Sequence, residues 1–305
     1  MLRGISTLKG IVSVVQTPFT DTGHIDFESL KSLVEDAIIS GADGLLVPAV
    51  ASEVAFLSDS ERKRIFTTVL QAASSRVPVI AGASYENPAS CRIFARWASG
   101  QGAVACLVAV PVALYMNTEN IVPFFQEVSR GVGLSMIVQD FEFNGPGLTL
   151  HMIRKLKHKI PSMTGIKVEP TPAGPKYTAV REALGDDFLI AGGWAVSQFI
   201  EALDRGVDAI IPESSMIRVY KRIQQCYKQG KRESAIEIFN RLLSILSFTN
   251  QEVGNSILFF KHLVVRKGIF QTTNMRYPQP QWDSYSLRLT EELIERYLEL
   301  EEESL

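Results

Sequence analysis

Along this chain, short runs rich in β-branched residues alternate with longer stretches in which apolar residues recur every three to four positions. The first pattern predicts strands and the second amphipathic helices. Ile11–Thr17, stopped by Pro18, is the first strand; a helix over Asp26–Ser40 follows, with Phe27, Leu30, Leu33, Val34, Ala37 and Ile38 on one stripe. The same alternation predicts strands over 44–49, 76–82, 104–110, 134–140, 164–169, 188–192 and 207–211. Between them fall helices from Ser58 to about Ser74, then over 88–101, 119–130, 150–159, 174–184 and 196–205. Ser58 and Glu61 form a capping box, a helix-start signature in which each side chain bonds the other's backbone N–H. Eight such cycles with all crossovers helical predict an α/β fold, a (β/α)8 TIM barrel whose active site gathers at the carboxyl ends of the strands.

Beyond residue 213 the strand rhythm stops, which divides the chain into a barrel (1–213) and a C-terminal helical region (214–305) packed on it. Helices are expected over 215–229, 231–247, 252–267 and 290–303. Two stripes, Ile236, Phe239, Leu242, Leu243 and Leu246, then Leu258, Phe259, Leu263 and Val264, are too apolar for a solvated tail and should cover the barrel or a partner subunit. The acidic run Glu291–Glu303 reads instead as a solvated helix.

Composition narrows the function classes. At 305 residues, 46% hydrophobic, 21% charged and net charge −2, the chain has the profile of an ordinary globular protein and not of a nucleic-acid binder. Neither a signal-peptide core near the N-terminus nor a membrane-length apolar run is visible, so no membrane partner and a cytoplasmic location are expected. Cys91, Cys106 and Cys226 lack C-x-x-C spacing, and His24, His151, His158 and His262 are scattered; neither a disulfide framework nor a metal site is predicted.

The chemistry centres on Thr164-Gly-Ile-Lys-Val-Glu169. A lysine among Ile and Val must be paired or give up its proton if it is buried. Alternation places Met163, Gly165 and Lys167 on the inward face, followed by Glu169, and Thr164, Ile166 and Val168 outward. On the neighbouring strand Leu134, Met136 and Val138 point outward while Ser135, Ile137 and Gln139 point inward, bringing Gln139 beside Lys167. A desolvated lysine is a nucleophile for the carbonyl of a 2-oxo acid, forming a Schiff base. The bland alternative is a strand-end lysine that reaches solvent or pairs with Glu169. Gln16-Thr-Pro-Phe19, Ala51-Ser-Glu53 and Gln139-Asp140 end other strands and converge with it in a barrel, where they can supply carboxylate donors and an acid or base.

With these motifs, V-x-x-x-x-T-P-F at 12–19, A-S-E-V-A-F-L-S-D-S-E-R at 51–62, G-I-K-V-E at 165–169 and A-G-G at 191–193, nearly the whole chain resembles the dihydrodipicolinate synthase / N-acetylneuraminate lyase family of Schiff-base barrels. The resemblance implies a TIM barrel with C-terminal helices, a homo-oligomer (dimer, or tetramer built as a dimer of dimers), no cofactor, and Lys167 as the Schiff-base former. Departures bear on the activity. Family synthases carry G-T-T-G-E where this chain has Ala49-Val-Ala-Ser-Glu53, and a tyrosine where it has Gln139. Their following arginine is missing from Phe141-Glu-Phe-Asn-Gly-Pro-Gly147, and their Pro-Tyr-Tyr is Pro111-Val-Ala here, with Tyr115 nearby but out of register. S-E with F-L-S-D, V-Q-D and K-x-E looks instead like the 2-keto-3-deoxy-L-arabonate dehydratase branch. That likeness implies a lyase dehydrating, or cleaving by retro-aldol chemistry, a 2-keto-3-deoxy sugar acid. Lys167 is then the nucleophile, Glu169 or Glu53 the base or acid, and Gln139 and Ser52 orient; Thr17, Ala51, Ser52, Gly192 and Ile210 are candidate substrate contacts. A pyruvate aldolase of the synthase or neuraminate-lyase type stays open, as does an idle barrel that merely binds an oxo acid, its pocket plugged by Phe141, Phe143 or Trp194.

Overall fold

The computed structural model describes residues 8–142 and 145–304. The first seven residues of the N-terminal stretch, Phe143 and Asn144 of the loop after the fifth strand, and Leu305 lie outside them. Eight parallel strands pair in chain order, and the last closes on the first: β1 (Gly10–Val14), β2 (Gly44–Val47), β3 (Val79–Gly82), β4 (Ala105–Ala109), β5 (Ser135–Asp140), β6 (Met163–Val168), β7 (Leu189–Gly192) and β8 (Ala209–Ile210). The helices between and after them are α1 (Phe27–Ile39), α2 (Asp59–Ala73), α3 (Pro88–Gln101), the single turn α4 (Val112–Tyr115), α5 (Ile121–Ser129), α6 (Leu150–Lys159), α7 (Gly174–Leu184), α8 (Phe199–Asp204) and α9 (Ile217–Lys228). This is the (β/α)8 barrel that the hydrophobic pattern predicts. The helix over 196–205 is divided: a 3-10 turn, Trp194–Gln198, precedes α8.

Two cores result from the period-2 alternation of the strands. Val12, Val14, Leu46, Ile80, Leu107, Ile137, Ala191 and Ile211 fill the inside of the ring, while Ile11, Leu45, Val138 and Ile166 join the helix stripes outside. Leu30, Leu33, Val34 and Ala37 of α1 have no exposed surface. Each Leu or Val so buried stabilises the fold by about 1.5–3 kcal/mol. Ser58 and Glu61 make the expected reciprocal cap at the start of α2.

One alternation slips. β5 pairs with β6 as Met136↔Met163 and then Ile137↔Gly165, so a bulge at Thr164 lets Met163 share the outer core although Gly165 and Lys167 face inward. An extra residue resets which face a side chain takes, and Met163 therefore does not share the lysine's face as strict alternation requires.

Beyond residue 213, α9 is followed by α10 (Arg232–Thr249), α11 (Val253–Arg266) and α12 (Ser284–Glu302). Helix α9 lies against β1 and α10, and Phe239, Leu242, Leu246, Phe259, Leu263 and Val264 all enter the outer core; Ile236 packs partly buried against it, Leu258 is buried outside that cluster, and Leu243 of the predicted stripe is exposed instead. The last helix begins six residues earlier than its predicted start at 290 and is not a solvated one. Its Leu293, Ile294, Tyr297 and Leu300 are buried at helical spacing, and its acidic residues occupy the opposite face except Glu301, which turns in to Lys267 and the Tyr297 hydroxyl. Among the described residues no helix is long and apolar enough to cross a membrane.

Candidate active site

A cavity of about 660 Å³, its open mouth included, sits over the carboxyl ends of the strands. Strand ends and loops contribute Val14, Ala49, Val50, Ala51, Gln139 and Lys167, and the C-terminal helices roof it with residues including Leu246, Asn250 and Phe260. Lys167 lies next to Gln139 on one side and Ala191 on the other in the strand register. Its side chain is 7% exposed, and its Nζ stands 2.5 Å from Oε1 of Glu169, itself 4% exposed. Gln139 Nε2 donates to the same Oε1 at 2.8 Å, and the Trp194 backbone N–H donates to Oε2. A carboxylate is thereby fixed against the amine in a site with little water, where opposite charges interact far more strongly than at the surface. Pairing with Glu169, the bland reading of the K-x-E motif, is present; so is the cavity beside the nitrogen.

Close approach makes Gly193 part of this arrangement. A Cβ there would lie 2.2 Å from Lys167 Cε and 2.3 Å from Glu169 Oε2. Gly193→Ala is expected to displace the lysine by about 1 Å and lower turnover on the order of 10²-fold, since misplacing a reacting group by that much costs about as much in other enzymes. Steady-state kinetics together with a melting curve check it: the melting temperature should move far less than the rate.

The sequence-selected residues divide into two groups. Lys167, Gln139, Glu169 and Ala51 line the cavity; Thr17, Ser52, Glu53, Gly192 and Ile210 do not. Glu53 turns away from the lysine. Fully buried, with a left-handed backbone at φ 59°, it pairs with Lys261 of α11 at 2.6 Å and accepts the backbone N–H groups of Arg276 at 2.5 Å and Tyr277 at 2.7 Å. Ser52 Oγ donates to Val15 O at 2.5 Å and accepts from Ala49 N at 3.0 Å, while Thr17 Oγ1 donates to Ser52 O at 2.8 Å. These groups brace the loop that carries Val50 and Ala51 and present no free polar atom to a substrate. The side chain of Ile210 joins the outer core, and a Cβ on Gly192 would point at the Tyr177 hydroxyl, 2.6 Å away.

Asp140, the partner of Gln139 in its strand-end motif, also points outward. It accepts from Tyr115 Oη at 2.9 Å, Lys176 Nζ at 2.8 Å and Leu148 N at 2.8 Å, and so ties down the loop after β5. Burial raises its pKa despite Lys176. Tyr115 is thus engaged within its own chain. Phe141 and Trp194 border the cavity without filling it; Phe143 is outside the described residues.

Glu213, just past β8, borders the same cavity and was not selected from the sequence. Gln16 Nε2 and Ser215 N donate to its Oε2 at 2.7 Å each, and Ser215 Oγ donates to Oε1 at 2.8 Å. Enclosed on every side but the cavity, its carboxyl is pushed by burial up to about 7, against the lowering effect of these donors and of Lys267. Reading strand eight's end as the other strand ends were read would have found it: Pro212-Glu-Ser-Ser215 follows β8 just as Gln16-Thr-Pro-Phe19 follows β1. No comparable signal marks the roof residues on α10 and α11, which only the folded chain brings over the barrel. Among the described residues no group of three or more His, Cys, Asp or Glu side chains could hold a metal ion.

Known proteins share this architecture. A model described as the Dihydrodipicolinate synthetase family matches residues 7–295. L-2-keto-3-deoxyarabonate dehydratase of Azospirillum brasilense is 26% identical over 279 residues, covering 90% of this chain and 89% of that one. 4-Hydroxy-tetrahydrodipicolinate synthase of Bartonella bacilliformis is 25% identical over 244 residues, 78% of this chain and 81% of that one. In fold, the wild-type sialic acid aldolase of Ruminococcus gnavus superposes with a TM-score of 0.89 at 20% identity, over 98% of this chain and 100% of the other. With the family matched from end to end of the barrel and relatives that are lyases, this chain belongs to the dihydrodipicolinate synthetase family and is a lyase of it.

Proposed function

We propose that the chain forms a Schiff base between Lys167 and a 2-oxo acid and dehydrates a 2-keto-3-deoxy sugar acid. The observation that carries this is the Lys167 amine, buried beside a cavity with Glu169 2.5 Å from it and Gln139 holding that carboxylate. Over that distance Glu169 can take the ammonium proton, leaving an amine to add to the C2 carbonyl; loss of water then gives the imine. The same carboxylate, freed of its proton, is placed to remove a proton from C3. Val50 and Ala51 open a 3-10 turn at the cavity wall. The first N–H groups of such a turn have no partner within it and suit the substrate carboxylate.

Against the synthase activity stands the stretch 141–147, which holds no arginine for a second carboxylate, and Gln139 in place of a phenol. The dehydratase relative at 26% identity favours elimination of water. The resemblance further supports a homo-oligomer, dimer or tetramer, which light scattering measures. For the reaction, the decisive assay supplies 3-deoxy-2-oxo-L-arabonate and related 2-oxo sugar acids and scores unsaturated or dioxo products separately from pyruvate. Loss of water is the expected result. Pyruvate release alone would replace dehydration by aldol cleavage, and no turnover or adduct with any 2-oxo acid would leave only a binding barrel.

A further inference from the structure

A β-elimination through an enamine needs a base for the C3 proton and an acid for the departing C4 hydroxyl, and a second carboxyl in the cavity divides the two roles so that Glu169 need not carry its proton on to C4. Glu169 faces the lysine cation. Glu213 faces the same cavity from just beyond the end of β8, two strands round the ring from β6. Lys167, Glu169 and Glu213 line one cavity, so a substrate joined to Lys167 shares its space with both carboxyls. We propose that Glu213 is the general acid that protonates the C4 hydroxyl of the Lys167-bound substrate. This rests on the dehydratase reading and assigns its second acid–base group.

Glu213's surroundings suit a proton donor. The groups holding it are neutral: the Gln16 amide and the Ser215 hydroxyl and N–H. The cation that acts on it, Lys267, is itself engaged at 2.9 Å by Glu301 and at 3.1 Å by Asp36. Tyr220 from α9 and Tyr297 from α12 face it as phenols whose burial holds them well above their ordinary range, so they stay uncharged. Across the cavity the Lys167 and Glu169 charges cancel each other. A carboxyl lifted to about 7 carries its proton through much of the neutral range. In the step, the enamine electron pair forms the C3=C4 bond and the C4–O bond breaks. The hydroxyl takes the Glu213 proton and leaves as water, and nitrogen returns to the iminium; solvent at the cavity mouth reloads the carboxylate.

The test uses the full-length chain, Glu213→Gln and Glu213→Asp, with 3-deoxy-2-oxo-L-arabonate for dehydration and pyruvate in D2O for C3 proton exchange. Exchange requires the imine and its base but no leaving group. Glu213→Gln should lower kcat for dehydration about 10²-fold or more, keep exchange within about threefold, and abolish the fall in kcat above about pH 7 that loss of the acid's proton produces in the parent. Glu213→Asp should restore part of the rate and the alkaline limb. Dehydration by Glu213→Gln within about threefold of the parent, or exchange falling together with dehydration, would overturn the assignment. A parent that neither exchanges nor dehydrates would overturn the dehydratase reading itself.

Discussion

Lys167→Ala is expected to lose turnover of every 2-oxo acid substrate by on the order of 10⁴-fold or more, the range seen when a covalent nucleophile is removed. The cause is specific to the amine. Without it the C2 carbonyl has no route to an iminium, and the C3 proton keeps its ordinary acidity whatever Glu169 does. Substrate affinity should change much less, because Val50, Ala51 and the apolar roof stay in place. The fold should survive as well, because Glu169, unlike a carboxylate sealed in the interior, borders the cavity, where water can enter the vacated volume, and it keeps its bonds from Gln139 and the Trp194 N–H. Kinetics, a binding titration and a melting curve separate these outcomes, and a variant that binds, melts near the parent and does not turn over is the expected one.

Lys261→Met should instead act on stability. Lys261 and Glu53 have fully buried side chains, and the same ammonium donates to the carbonyls of Thr17 at 3.0 Å and Asn274 at 2.5 Å. Removing one member of a buried ion pair leaves the other charge unpaired at a cost of about 3–5 kcal/mol. Here the stranded Glu53 keeps only backbone N–H donors, in a loop whose left-handed residue is not a glycine. Urea denaturation of Lys261→Met, Glu53→Gln and the double variant checks it. Each single change should be costly and the double change much less so than their sum, with the activity loss tracking the loop that carries Val50 and Ala51.

What the chain revealed before folding follows from how local each feature is. Strand and helix periods are local, so the barrel, the inward turn of Gln139 and the Ser58 cap could be read directly. The lysine could also be read, because an ammonium in an apolar strand demands a reason. Met163 could not: a bulge depends on how two strands register, and a single strand's alternation does not encode it. Glu291–Glu303 misled because its charge count hides the helical spacing of Leu293, Ile294, Tyr297 and Leu300. Glu53 looked like site chemistry because it follows β2, yet its partner Lys261 lies far along the chain on α11 and nothing in the sequence ties the two together. Glu213 was overlooked because the end of strand eight was not read for chemistry as the other strand ends were, and the burial that lifts its carboxyl exists only in the folded chain.

The central claim is that the Lys167 nitrogen becomes covalently bound to a ketone carbon inside the barrel mouth. Incubation with pyruvate and borohydride, digestion and peptide mass mapping test it most directly. A reduced pyruvyl adduct on Lys167, absent without pyruvate and absent in Lys167→Ala, is the predicted result. An unmodified chain, or an adduct of equal yield on another lysine in Lys167→Ala, would contradict it.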